Sequence, residues 1–100
     1  MSTEEFSAYQ VRHMLLALRN WLRSEEEEAQ GDGYVTMDAD AVESLGSGLA
    51  LDKPSSHRLT LALVEEGYLD GEYVASDSNV TPLRHLLIRG MTQKALGEMG

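Results

Sequence analysis

57-HRLTLALVEEGYLDGEYVASDSNVTPLRHLLIRGMTQKALGEM-99 is the stretch that decides the fold. Leu59, Ala62, Leu63 and Glu66 keep helical spacing as far as Gly67, a residue suited to the left-handed stop of a helix. Tyr68-Leu69-Asp70-Gly71-Glu72-Tyr73-Val74 reads as extended, with Asp70-Gly71 as a turn signal. Ser76-Asp77-Ser78-Asn79 makes a polar hairpin tip, and Pro82 limits ladder bonding where the chain returns. Leu83 to Met91 is the second extended run. It alternates imperfectly, with Arg84, Leu86 and Ile88 expected on one face and Leu83, His85, Leu87 and Arg89 on the other. Thr92 caps a last short helix that carries Ala95, Leu96 and Met99.

Working back from His57, Pro54 fits the first turn of a helix spanning about 55–66, capped by Asp52 or Ser55. A second helix covers about 39–46, with Asp38 or Asp40 as cap and Glu43 completing a capping box with Asp40. Gly46-Ser47-Gly48 ends it, and Tyr34-Val35-Thr36-Met37 before it is a short extended piece. The first helix spans about 4–24. Ser2-Thr3-Glu4-Glu5 reads as its capping box, and Val11, Leu15, Leu18 and Leu22 form one stripe. Residues 24–33, with Glu25 to Glu28 and Gln30-Gly31-Asp32-Gly33, read as an acidic flexible loop.

One hundred residues form a single domain, 1–100, large enough for one core. The chain has no cysteine, which excludes disulfides and thiolate ligands. No basic-then-apolar leader and no apolar run long enough for a membrane span is present, so a cytoplasmic protein is expected. The net charge of −9 is unevenly spread. Residues 24–52 hold nine acids and no base, whereas residues 53–100 hold five of the eight bases and are nearly neutral.

The segment "LALVEEGYL" (Leu61 to Leu69) resembles the end of the recognition helix in winged helix-turn-helix proteins, which often reads "LxxLxxxGYI". "GMTQKALGEM" (Gly90 to Met99) resembles the "LTxKGxEFL" that closes small phage and prophage winged-helix proteins of unassigned function. Thr92, Lys94 and Leu96 follow that motif, while Ala95 stands where its glycine is usual. The resemblance implies an α+β winged helix, with a three-helix core, a C-terminal β-hairpin wing and a short final helix. It also implies DNA binding as the commonest role of such an architecture, here a transcriptional regulator of phage-derived type.

Under that expectation the start of the third helix meets the major groove, which nominates Lys53, Ser55, Ser56, His57, Arg58 and Thr60. The wing adds Arg84, His85 and Arg89. A bare count of four fixed cations against the acidic middle third keeps a second reading open. In it the domain binds a protein, such as a basic partner that meets the acidic surface. Phe6, Tyr9, Met14 and Trp21 widen the first helix beyond what one small core takes up, so they are expected to form a homodimer contact. Tyr68 and Tyr73 are expected to pack the hairpin on the third helix. His13, His57 and His85 lie too far apart in sequence for metal-ligand spacing. No nucleophile, base and orienter can be grouped, so neither catalysis, a metal nor a cofactor is expected.

Overall fold

Every helix in the computed structural model, which describes residues 3–28 and 35–99 and the side chains of all but 25–28 among them, begins at a side chain that accepts from the amide three residues on. Ser7 precedes α1 (Ala8–Glu28) and accepts from the Gln10 amide at 3.1 Å. Asp38 precedes α2 (Ala39–Ser47) and accepts from Ala41 at 2.9 Å. Asp52 precedes α3 (Lys53–Glu65) and accepts from Ser55 at 2.8 Å. Thr92 precedes α4 (Gln93–Met99) and accepts from Ala95 at 3.3 Å. Each fills an amide that the first helical turn leaves without a partner.

The first helix corrects the expectation at both ends. Thr3–Glu5 is a separate 3₁₀ turn, and α1 starts at a reciprocal Ser7–Gln10 box, in which the Ser7 amide also donates to Gln10 Oε1 at 3.0 Å. Phe6 and Val11 flank this box as a hydrophobic staple requires, and both join the core. The helical backbone continues to Glu28, through the first part of the expected 24–33 loop. Ser2 and the Gln30–Tyr34 stretch lie outside the described residues.

Three strands, β1 (Val35–Asp38), β2 (Leu69–Ala75) and β3 (Leu83–Met91), form an antiparallel sheet in the order β1-β3-β2. The short piece before the second helix is thus an edge strand of the same sheet as the hairpin, with Val35 opposite Ile88 and Asp38 opposite His85. Asp70-Gly71 is no turn. It lies within β2, and a Cβ on Gly71 would sit 2.2 Å from the Leu87 carbonyl oxygen.

β3 breaks strict alternation twice. Asp70 pairs with Gly90 and Gly71 with Ile88, so Arg89 bulges; Val74 pairs with His85 and Ala75 with Leu83, so Arg84 bulges. The second bulge turns Leu83 to the side of Leu86 and Ile88, and all three are buried while Arg84 is exposed. The expected grouping of Arg84 with Leu86 and Ile88 fails for this reason.

Met14, Leu15 and Leu18 of α1, Met37 of β1, Val42 of α2, Leu59 and Leu63 of α3, Leu83, Leu86 and Ile88 of β3 and Ala95 of α4 meet in one core. α1 packs against α2, α4 and β1, so a wide arc of its surface is used. α2 and α3 pass in close contact at Gly46, where an added Cβ would lie 1.7 Å from Ser56 Oγ. Gly46 therefore serves the crossing and not the helix stop. α2 still ends within the expected Gly46-Ser47-Gly48 stretch, with Gly48 as its C-cap, and the turn beyond it uses Ala50 at φ 60°.

α3 ends as expected at Gly67, with φ +83°. The end of α3 and the start of α4 interlock there. Thr92 Oγ1 donates to the Gly67 carbonyl at 2.6 Å, and the Thr92 amide donates to that of Tyr68 at 3.1 Å. Lys94 Nζ donates to the Glu66 carbonyl at 2.9 Å and lies 4.5 Å over the Tyr68 ring. Thr92 and Lys94 thus cap the end of α3 from the neighbouring helix. No helix among the described residues is long and apolar enough to cross a membrane.

Candidate macromolecule-binding surface

α3 is the helix on which a groove-reading surface was expected, and most of its circumference is covered. Ser56, His57, Leu59, Thr60, Leu61, Ala62 and Leu63 are buried. The hydroxyls enter the core without loss because they turn back on their own helix. Ser56 Oγ donates to the Asp52 carbonyl at 2.8 Å and Thr60 Oγ1 to that of Ser56 at 2.9 Å. The His57 ring accepts from the Leu83 amide at 3.1 Å. Ser56, His57 and Thr60 are therefore corrected from contact residues to core residues; helical spacing put them next to Arg58 in sequence but on the inner side of the helix.

The outer stripe of α3 is narrow. Arg58 is exposed, but Leu61 and Ala62, one turn further along, are buried. The Thr3–Glu5 turn packs against this helix. Glu5 meets Arg58 at 3.5 Å, and the Thr3 amide donates to the Glu66 carboxylate. Hydrogen bonding to the Thr3 side chain and amide, and behind it the Lys94 ammonium, holds the Glu66 carboxyl below the usual carboxylate range against the opposing effect of burial. Asp52 is likewise lowered, first by its hydrogen bonds from Ser55 and last by Arg58. Lys53 Nζ lies 3.8 Å from Glu43. Exposed pairs such as these are worth about 0–1 kcal/mol, so a phosphate would displace them. It would not displace the buried Leu61 and Ala62.

Of the remaining nominees, Ser55 is half-buried and accepts from Arg58 at 3.2 Å, while Arg84, His85 and Arg89 are exposed on β3. Lys53 and Arg58 stand on α3 and the other three on the hairpin, with acidic Glu65, Glu72 and Asp77 exposed on the same elements. The α1 contact residues are also redistributed. Met14 is fully buried and is corrected to the core; Phe6 and Trp21 are half-buried against that core. Tyr9, 66% exposed, is the one large apolar side chain of α1 left outside among the described residues, and it stacks on His13 at 4.0 Å.

The surface that sequence reasoning missed is the solvent face of the sheet. Register sets Val74, His85 and Asp38 in one row across the three strands, and Glu72, Leu87 and Thr36 in the next. Val74 is 42% exposed on this face, whereas Tyr73 pairs with buried Leu86 on the opposite, core side of the sheet and is itself 40% exposed. Tyr68, by contrast, is buried as expected, and burial, with Glu98 and Glu66 nearby, pushes its hydroxyl above the usual range. The rows run into a depression of about 400 Å³ lined by Trp21, Thr36, Asp38, Ala41 and His85. Its signal in the sequence was the pairing of β1 with β3, which period-2 patterning of four residues cannot reveal. Among the described residues, no group of three histidines or carboxylates is placed to hold a metal ion. Comparison with protein-family models, curated proteins and solved structures returns no match to this chain, so its surface is interpreted from geometry and charge alone.

Proposed function

We propose that the chain is a winged-helix-like protein-recognition domain that engages a positively charged partner through the solvent face of its sheet and the depression at Trp21. The order helix, strand, helix, helix, strand, strand, with the first strand paired to the last, supports the winged-helix-like description. The observation that carries the binding role is the contrast between the narrow exposed stripe of α3 and the open row Val74, His85, Asp38 leading to a depression that Trp21 lines. Tryptophan in a partly desolvated hollow is a frequent anchor of protein interfaces. Asp38 and Glu72 on this face, in a chain whose residues 24–52 hold nine acids and no base, favour a cationic partner and raise its encounter rate. The same charge opposes a nucleic-acid duplex.

A second reading, duplex DNA bound by the hairpin, draws support from Arg84 and Arg89, which the bulges of β3 turn toward solvent. One experiment separates the two. Trp21 is the only tryptophan, so its fluorescence reports on the depression. Titration with a lysine- and leucine-containing peptide is expected to shift that emission in a salt-sensitive manner, and Val74→Lys is expected to weaken the effect. Random duplex DNA at low salt is expected not to bind. Duplex binding that falls with Arg84→Ala, with no response to the peptide, would reverse the assignment.

A further inference from the structure

His57 is a fully buried imidazole whose two nitrogens face different elements. Nδ1 accepts the Leu83 amide proton at 3.1 Å. Nε2 lies 3.5 Å from Glu43 Oε2, is shielded from solvent, and makes no hydrogen bond. An accepting Nδ1 carries a lone pair, so the single proton of the neutral ring sits on Nε2, on the Glu43 side. Leu83 opens β3 opposite Ala75, two residues beyond His85, where pairing with β1 stops. The ring therefore supplies the acceptor that β1 is too short to provide. One side chain of α3 thus holds the tip end of the hairpin while its other nitrogen faces Glu43 of α2.

We infer that His57 is a proton-operated clip between the hairpin and the helices. A second proton can enter only at Nδ1, where it would face the Leu83 N–H. Two donors cannot share that contact, so the charged ring gives up Leu83. The charged groups around it decide what it keeps. From α2, Glu43 offers a carboxylate to Nε2–H; from α3, Lys53 stands 3.8 Å from the same carboxylate and competes for it; from β3 the Leu83 amide meets the ring, and the titratable Arg84 and His85 beside it are exposed. Protonation therefore leaves α2 and α3 joined through Glu43 and frees the hairpin at Leu83. The outcome is local opening of one strand end and not general unfolding. Val74, His85 and Arg84 lie next to the released pair, so the surface of the hairpin is what moves. The clip stands independently of which partner that surface takes.

Amide hydrogen exchange of the whole chain tests this directly. Between about pH 7.5 and about pH 5, the span over which imidazoles change charge, protection of the Leu83 amide is expected to fall roughly tenfold or more while that of Leu86 and Ile88 holds. His57→Gln keeps an acceptor toward Leu83 and a donor toward Glu43 without a titrating group, so its Leu83 protection should not vary with pH. His13→Gln and His85→Gln should behave as wild type. Constant Leu83 protection in wild type, or an equal fall in His57→Gln, overturns the inference. Should His57→Gln fail to fold, the ring nitrogens of wild type decide. Nδ1 gaining a proton in step with the loss of Leu83 protection supports the clip, and Nδ1 remaining bare down to about pH 5 refutes it.

Discussion

Ser56, His57 and Thr60 of α3 are fully buried, while the apolar Val74 of β2 stands 42% exposed. Polarity alone would have placed these two groups the other way round. The difference lies in what each backbone offers. A helix presents carbonyls four residues back, and Ser56 and Thr60 use them, so burying a hydroxyl there costs little. An edge strand has no covering layer on its solvent side, and alternation exposes whatever residue falls there. A single exposed valine on a soluble domain is ordinary. What distinguishes Val74 is its row, which leads through His85 and Asp38 to Trp21.

The contrast is easiest to break at the centre of α3. Leu59→Ala removes a fully buried side chain, and a loss of about 2–5 kcal/mol in unfolding free energy is expected from urea denaturation. A loss below about 1 kcal/mol would mean that α3 is not packed on all sides. Next in size is Gly46→Ala, whose Cβ would overlap the Ser56 side chain; overpacking of this kind costs about 1–3 kcal/mol. Combining it with Ser56→Gly should cost less than the sum of the two single changes, and strict additivity would place the contact elsewhere.

Acid sharpens the comparison with a smaller effect. Folding holds Asp52 and Glu66 below the usual carboxylate range. Their contribution is complete above the unfolded carboxyl values near pH 4, and is lost as pH falls through the lower values of the folded state. Urea midpoints measured from about pH 6 down to about pH 2.5 should therefore decline. Asp52→Asn and Glu66→Gln should flatten that decline, with Asn still able to cap α3. An unchanged slope in both variants would remove the N-terminal turn and the cap as causes. The smallest change is expected on the hairpin. Val74→Ser should alter stability by no more than about 0.5 kcal/mol while weakening peptide binding at Trp21. A large loss of stability there would show that the sheet face is covered.

Much of the chain was legible before any coordinates. The caps at Asp38, Asp52 and Thr92, the stop at Gly67 and both hairpin strands were all readable, because each depends on neighbours a few residues away. The Ser7–Gln10 box was readable too, since S-x-x-Q is a known start signal, but Ser2 to Glu5 offered a competing one. The candidate site fared worse. Exposed Lys53, Arg58, Arg84, His85 and Arg89 were nominated together with buried Ser56, His57 and Thr60, and Trp21 was assigned to a dimer contact. Helical spacing says which residues share a side; it does not say which side another element will cover.

The sequence by itself therefore determined which segments become helices, the stop at Gly67, the hairpin return, and how charge is divided along its length. These are set by hydrogen bonds and steric preferences within about one helical turn. Only the tertiary structure decided that β1 joins the hairpin, that bulges at Arg84 and Arg89 turn Leu83 inward, and that Thr3 reaches Glu66 while Leu83 reaches His57. The physical reason is distance along the chain. Those contacts join residues 63 and 26 positions apart, and their energy depends on how all the elements pack at once.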